Sequence, residues 1–233
     1  MSYLHLLKKI PIFSRLDDSD LNPLESFLTK RRYPEGQIIF HMGDEGGNLY
    51  IINRGRVKIT LPSQLGEEII LTILSPGEIL GELSFIDGKP RSATVQAIEE
   101  TEVLCLSRDD FLNFLRNRFD LALRVLEVLA QRLRETDSLL AESYFLDITS
   151  RLAKKILDLG RDFGIREEQG IRIGVRVTQK DLASMVGATR ESVNKQLKVL
   201  RQNGIIDLVK GHIMILDTER LTSRTHLETL SVL

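Results

Sequence analysis

Between Arg108 and Glu142 the chain contains no glycine or proline, whereas the stretch before it is interrupted by turn signals every few residues. This change of texture constrains the fold more than any other feature. Gln37–Phe40, Asn48–Asn53, Val57–Leu61, Glu68–Leu74, Ala93–Ala97 and Glu102–Ser107 are short runs rich in Ile, Val, Leu and Thr. Pro34-Glu35-Gly36, Gly43 to Gly47, Arg54-Gly55, Gln64-Leu65-Gly66, Pro76-Gly77 and Asp87-Gly88 separate them. Many short strands with such punctuation predict an antiparallel sandwich or barrel.

The uninterrupted stretch reads as one long helix, opened by Ser107 or Asp109 as N-cap. Leu126, Leu129, Leu133, Thr136 and Leu140 recur at alternating steps of three and four. That is a heptad seam, and it predicts pairing with a partner helix, a second copy of the chain being favoured over a partner within the same chain. Thr136 and Asp137 interrupt the leucines. A polar pair in such a seam either sets register or faces a ligand, and periodicity alone leaves both open.

After Phe145 the texture changes again. Asp147 or Thr149 caps a helix through Leu159, with Gly160 near its end. Gly170–Val177 reads as a strand, Thr178 opens a helix, and Ile205–Val209 with His212–Leu216 reads as a hairpin around Lys210-Gly211. The 233 residues therefore divide into residues 1–107, a β domain, residues 108–144, a long helix, and residues 145–233, a second small domain. The fold class is α+β, with a β-roll or jelly-roll first and a winged helical domain last.

The net charge of -1 conceals a split. Residues 1–149 carry 17 Lys+Arg against 23 Asp+Glu, a net -6, and residues 150–233 carry 15 against 10, a net +5. A basic half beside an acidic one is a hint of nucleic-acid contact by the basic half, with chance fluctuation on solvated faces as the alternative until motifs are read. Cys105 is the single cysteine, which excludes an intramolecular disulfide and any four-thiolate metal or iron–sulfur site. The four histidines, His5, His41, His212 and His226, are scattered without metal-ligand spacing. No run of about 18 apolar residues exists to span a membrane, and the N-terminus carries no signal-peptide pattern, so a cytoplasmic protein is expected.

Two constellations carry chemistry. In the first, Gly81-Glu82-Leu83-Ser84-Phe85-Ile86 suits a single helical turn, and Gly81 permits close backbone approach. Seven residues after Ser84 comes Arg91, a planar fork suited to phosphate, followed by the hydroxyl of Ser92. Glu82 would repel a bare anion, but it suits a ligand that also carries a sugar hydroxyl. A structural turn with a surface Glu–Arg pair is the alternative. The G-E-L-S of 81–84 and the R-S-A-T of 91–94 resemble the phosphate-binding cassette of cyclic-nucleotide-binding domains. The resemblance implies that Arg91 and Ser92 hold a cyclic phosphate and Glu82 a ribose 2′-hydroxyl.

In the second, Thr178 and Asp181 form a variant capping box at the start of a short helix that ends at Gly187. Thr189 then caps a helix whose inward stripe is Val193, Leu197 and Leu200. Arg190, Glu191, Asn194, Lys195 and Lys198 are left outside. Small residues, Ala183 and Gly187, lie where two helices must meet, as in a helix-turn-helix. Arg190 can bond guanine and Glu191 can accept from cytosine. Thr189, Ser192 and Lys198 are candidates for phosphate contact, and Thr178 and Lys195 complete the candidate DNA-binding set.

The order of β domain, phosphate cassette, long helix and winged helix-turn-helix resembles the cyclic-AMP receptor protein/FNR family of bacterial transcription regulators. Phe145 to Ala153 resembles its hinge, and Thr189-Arg190-Glu191-Ser192-Val193 the start of its recognition helix. The family implies a homodimer that binds a cyclic nucleotide, cyclic AMP first, then a palindromic site on double-stranded DNA, with RNA polymerase as a further partner. It implies a purine contact for Thr136. Asp137 stands where the receptor has a serine, and Lys195 where it has a second base-reading arginine. A carboxylate accepts from adenine N6 or from guanine N1 and N2, which leaves another effector as the alternative. The oxygen-sensing branch needs a cysteine cluster, and the haem branch a suitably placed histidine; this chain has neither. A regulatory module for a partner enzyme is a rival reading. An enzyme is not expected, because no nucleophile–base pair, metal set or cofactor loop is present.

Overall fold

The computed structural model describes residues 3–14, 16–63, 67–116 and 118–225. The expected turn at residues 64–66 and His226 lie outside the described residues. The chain forms two compact units, Met1–Arg134 and Glu135–Leu233.

The first unit opens with α1 (Leu4–Leu7) and α2 (Asp18–Ser26). The strands β1 (Thr29–Tyr33), β2 (Ile38–Phe40), β3 (Asn48–Arg54), β4 (Val57–Pro62), β5 (Glu68–Leu74) and β6 (Ile79–Leu80) follow. Then come α3 (Glu82–Asp87), β7 (Thr94–Ala97), β8 (Thr101–Ser107), α4 (Arg108–Leu115) and α5 (Phe119–Phe145). The strands make two four-stranded antiparallel sheets, ordered β1-β8-β3-β6 and β2-β7-β4-β5. The antiparallel β domain expected from the turn spacing is therefore present.

Strand β3 shows how the layers arise. Successive strand side chains point to opposite faces. Leu49 and Ile51 enter a core with Leu104, Leu106, Phe85, Phe111, Phe13 and Leu21. Tyr50 and Ile52 enter another with Phe40, Val57, Val95, Val103 and Cys105. The first sheet is thus covered on both faces, which is why 49–52 and 103–106 are unbroken apolar runs rather than alternating ones. Cys105 lies in the second core, where burial raises its thiol pKa. Strand β1 escaped sequence reading because Thr29, Lys30, Arg31 and Arg32 are all exposed and only Tyr33 is buried. Its pairing to β8 is reinforced by Glu102, which accepts from Arg32 Nε (2.9 Å) and pairs with Lys30 (3.5 Å).

The long helix differs from expectation. Ser107 does cap α4, accepting from the Asp110 amide, but α4 stops at Leu115 and α5 starts at Phe119. No glycine or proline breaks the helix; packing does. Phe111 and Phe114 are buried against the sheet, while Arg118 bonds Asp20 (2.8 Å) and lies 4.6 Å over the Phe114 ring. These tertiary contacts outweigh local helix propensity. The boundary between the two units falls inside α5.

The second unit contains the end of α5, then α6 (Ile148–Phe163), β9 (Gly164–Glu167), β10 (Gly170–Ile173), α7 (Gln179–Val186), α8 (Arg190–Gln202), β11 (Ile206–Val209), β12 (His212–Ile215) and α9 (Thr218–Thr222). Asp147 is the cap of α6, accepting from the Ser150 amide. Lys154 Nζ bridges Glu142 on α5 (2.9 Å) and Asp158 (3.2 Å), tying the two helices. Burial opposes the Lys154 ammonium, but its two carboxylate partners prevail and raise its pKa.

Gly160 does not end α6, which runs to Phe163. A Cβ at Gly160 would stand 2.6 Å from Ile215, so its glycine serves close packing. Gly164 is the true stop, where a Cβ would meet the Gly160 carbonyl at 2.0 Å. The strand expected over Gly170–Val177 ends at Ile173 and pairs with the unforeseen β9. The sheet order is β11-β12-β10-β9, and the hairpin at Lys210-Gly211 forms as expected, with both residues at positive φ.

Candidate functional site

The cradle in the first unit is built around Gly81 and Arg91. Gly81 caps α3 with φ 80°, a left-handed conformation that glycine adopts without strain. Arg91 is only 4% exposed. Its Nη1 donates to the Gly81 carbonyl (2.9 Å) and its Nη2 to the Asn48 carbonyl (2.8 Å). The guanidinium lies 4.3 Å over the Phe40 ring and 5.5 Å from the Tyr50 ring. The backbone holds it from both sides: Arg91 N donates to Asp44 O, and Gly43 N to Arg91 O, each at 2.8 Å. Burial lowers the Arg91 pKa, while Tyr50, Glu82 and Asp44 favour its charge. Its Nε is a buried donor with no partner among the described residues.

That orphaned donor fits an anion-binding role, since a buried unsatisfied N–H on a charged group is costly unless something accepts from it. Ser92 adds an exposed hydroxyl beside it. Glu82 is buried and forms an ion pair with Arg132 of α5, whose Nη2 donates to the Ile79 carbonyl (2.6 Å). The structure thus brings Gly81, Glu82, Arg91 and Ser92 together. Ser84 is buried, with Gly46 so close that a Cβ there would stand 2.2 Å from its own. Leu83 is exposed. Thr136 and Asp137 belong to the other unit and are exposed on α5.

Sequence reasoning missed Phe40, Tyr50, Asn48 and Arg132. The first three come from strands whose residue types carry no cradle signal. Arg132 had one: it precedes Thr136 by four residues, so both share a helix face.

Gly81→Ala tests how tightly the cradle is built. Its Cβ would fall 2.3 Å from Arg91 Nη1, whereas a Cβ at Gly77, also at positive φ, meets nothing within 4 Å. Backbone strain of about 1–3 kcal/mol is common to both substitutions. Gly81→Ala is therefore expected to lower Tm more than Gly77→Ala, and equal shifts in thermal denaturation would contradict the close approach.

The second unit presents a helix-turn-helix. Thr178 and Asp181 complete a capping box, with Thr178 N donating to Asp181 Oδ2 (2.9 Å) and Asp181 N to Thr178 Oγ1 (3.1 Å). Gly187 closes α7 at φ 60°. Thr189 caps α8, accepting from the Ser192 amide (3.2 Å) and donating to the Ser192 hydroxyl (2.9 Å). The hydroxyls of Thr178 and Thr189 are thus engaged in caps. Val193, Leu197 and Leu200 are buried, as the stripe predicted. Arg190, Glu191, Asn194, Lys195 and Lys198 are exposed. The four charged members of that face have no ion pair among the described residues, unlike Arg201, which pairs with Asp207 (3.1 Å). A cationic helix face without internal partners, beside a β-hairpin, is suited to a phosphate-lined groove.

Among the described residues no helix is long and apolar enough to cross a membrane. Residues 30–118 match the cyclic nucleotide-binding domain family, and residues 150–224 the Crp-like helix-turn-helix domain family. A CRP-like cAMP-activated global transcriptional regulator of Mycobacterium tuberculosis is 36% identical over 219 residues, covering 94% of this chain and 98% of the relative. The cyclic AMP receptor protein of Thermus thermophilus is 34% identical over 209 residues, covering 90% and 94%. A solved CRP-family transcriptional regulator from Thermus thermophilus superposes with a TM-score of 0.72 at 26% identity, covering 84% of this chain and 96% of that one.

Fold and site together define a ligand-responsive, DNA-binding transcription regulator with a cyclic-nucleotide-binding domain, and not an enzyme. The chain belongs to the cyclic AMP receptor protein/FNR family of transcription regulators.

Proposed function

We propose that this chain is a cyclic-AMP-gated regulator that works in the cytoplasm as a homodimer on a palindromic operator. The observation that carries the reading is the Arg91 guanidinium, caged by two carbonyls and an aromatic ring with its Nε unsatisfied. In this reading a cyclic phosphate accepts from Arg91 and Ser92, and the ribose 2′-hydroxyl donates to Glu82. Glu82 already holds Arg132 of α5. A sugar hydroxyl arriving there changes that contact, and the ligand so biases the long helix.

The dimer is supported by an exposed leucine row on α5. Leu126, Leu133 and Leu140 are each about 60% exposed, which is unusual for a heptad seam unless a partner covers it. Thr136 and Asp137 interrupt that row and would meet the nucleobase at the dimer seam, as the family resemblance implies. Two recognition helices then read half-sites about one helical turn apart. Thr178, Thr189, Arg190, Glu191, Ser192, Lys195 and Lys198 form the DNA contact set, and RNA polymerase is the further partner.

The experiment is operator binding with and without cyclic AMP, repeated for Arg91→Ala. Cyclic AMP is expected to strengthen wild-type binding and to leave the variant unchanged; equal affinity in every case ends the gating claim. A second effector is favoured by one observation, Asp137 in the place of a serine. Guanine offers N1–H and N2–H to a carboxylate, where adenine offers N6–H alone. Calorimetry with cyclic AMP, cyclic GMP and cyclic di-GMP decides between them, the tightest binder being the effector.

A further inference from the structure

The two helices of the helix-turn-helix are joined by an amide–amide hydrogen bond. Gln179, the first residue of α7, donates from Nε2 to Oδ1 of Asn194 on α8 (3.1 Å). Asn194 is exposed and sits midway along the outward face of α8. It follows Arg190 and Glu191 by four and three residues and precedes Lys198 by four, so all four share one face. Its Nδ2 has no partner among the described residues.

We propose that Asn194 reads adenine in the major groove and that Gln179 is the positioning residue that sets its amide. The inference rests on the reading of α8 as the helix that enters DNA. An asparagine amide matches the adenine edge, with Nδ2–H donating to N7 and Oδ1 accepting from N6–H. A freely rotating amide presents either end and gains little selectivity. The Gln179 proton holds Oδ1 in one place and leaves it a second lone pair, while both Nδ2 protons remain available. Guanine presents acceptors at both N7 and O6, and O6 would face Oδ1 without a proton between them. The arrangement therefore favours adenine over guanine. Arg190 and Lys195, as donors only, match the two acceptors of guanine and so favour the opposite base.

The test selects randomised duplex DNA with the full chain, in parallel with cyclic AMP, with cyclic GMP and with no nucleotide. The half-site enriched most strongly is then resynthesised with 7-deaza-adenine at each adenine in turn. At one adenine per half-site, loss of N7 is expected to weaken wild-type binding about tenfold, within the range for one bidentate base contact. Asn194→Ala is expected to show no penalty there and no base preference at that position, with its other preferences intact. Gln179→Ala is expected to reduce the adenine-over-guanine ratio at the same base pair while its salt dependence stays that of the wild type. Such a split would not follow from lost folding or a lost phosphate contact. Should Asn194→Ala keep the wild-type preference at every position, the inference fails and the DNA-binding reading stands. If the wild type enriches no sequence in any arm, both fail.

Discussion

Arg91→Ala is expected to weaken cyclic-nucleotide binding by about a hundredfold to about twenty-thousandfold, measured by isothermal calorimetry. The estimate follows from two charge-assisted hydrogen bonds to a phosphate, about 1.5–3 kcal/mol each, at tenfold per 1.4 kcal/mol. The side chain also has a structural task, since it satisfies the carbonyls of Gly81 and Asn48. A fall in Tm is therefore expected as well, and binding must be measured well below the variant's transition. Arg91→Lys separates charge from geometry. Lysine keeps the charge but lacks the planar fork that spans two carbonyls and stacks on Phe40. It should recover only a small part of the affinity. Binding by Arg91→Ala within a few-fold of wild type would place the anion elsewhere in the roll.

Arg190→Ala is expected to reduce operator affinity by roughly thirtyfold or more in gel-shift or anisotropy titrations. One bidentate guanine contact is worth about 1–3 kcal/mol, and a two-fold dimer makes it in both half-sites. The loss should be specific, with discrimination relaxing at one base pair per half-site and the salt slope little changed. Lys198→Ala provides the contrast: a lost phosphate contact weakens all sequences alike and reduces the salt slope by about one per contact. Arg190 is exposed and has no ion pair among the described residues, so neither Tm nor ligand binding should change with it. If Arg190→Ala behaves like Lys198→Ala, Arg190 is a phosphate anchor and base reading lies elsewhere on α8.

The functional elements were far more legible in the sequence than the supports around them. The Thr178–Asp181 box, the turn at Gly187, the Thr189 cap and the apolar spacing Val193–Leu197–Leu200 are local codes, each written within a few residues, and each formed as read. The Gly81 turn is local in the same sense, because only glycine takes φ 80° there without strain. By contrast, β1 is a run of exposed charge whose strand conformation comes from pairing with β8, about seventy residues away in sequence. The separation of α4 from α5 was equally hidden. The residues that enforce it include Asp20, whose proximity to Arg118 is a property of the fold.

The sequence by itself determined the class of domain at each end and the helix-turn-helix face, and it singled out Glu82, Arg91 and Ser92 as candidates through their resemblance to a phosphate-binding cassette. Turn chemistry, capping and hydrophobic period act over neighbouring residues and need no distant partner. Only the tertiary structure decided how those residues are held. It set Arg91 on the carbonyls of Gly81 and Asn48 over Phe40, paired Glu82 with Arg132, and hydrogen-bonded Gln179 to Asn194. These contacts join different elements, from ten residues apart for Gly81 and Arg91 to about fifty for Glu82 and Arg132. Their geometry follows from how two sheets, or two helices, pack around buried cores, and no short-range pattern encodes it.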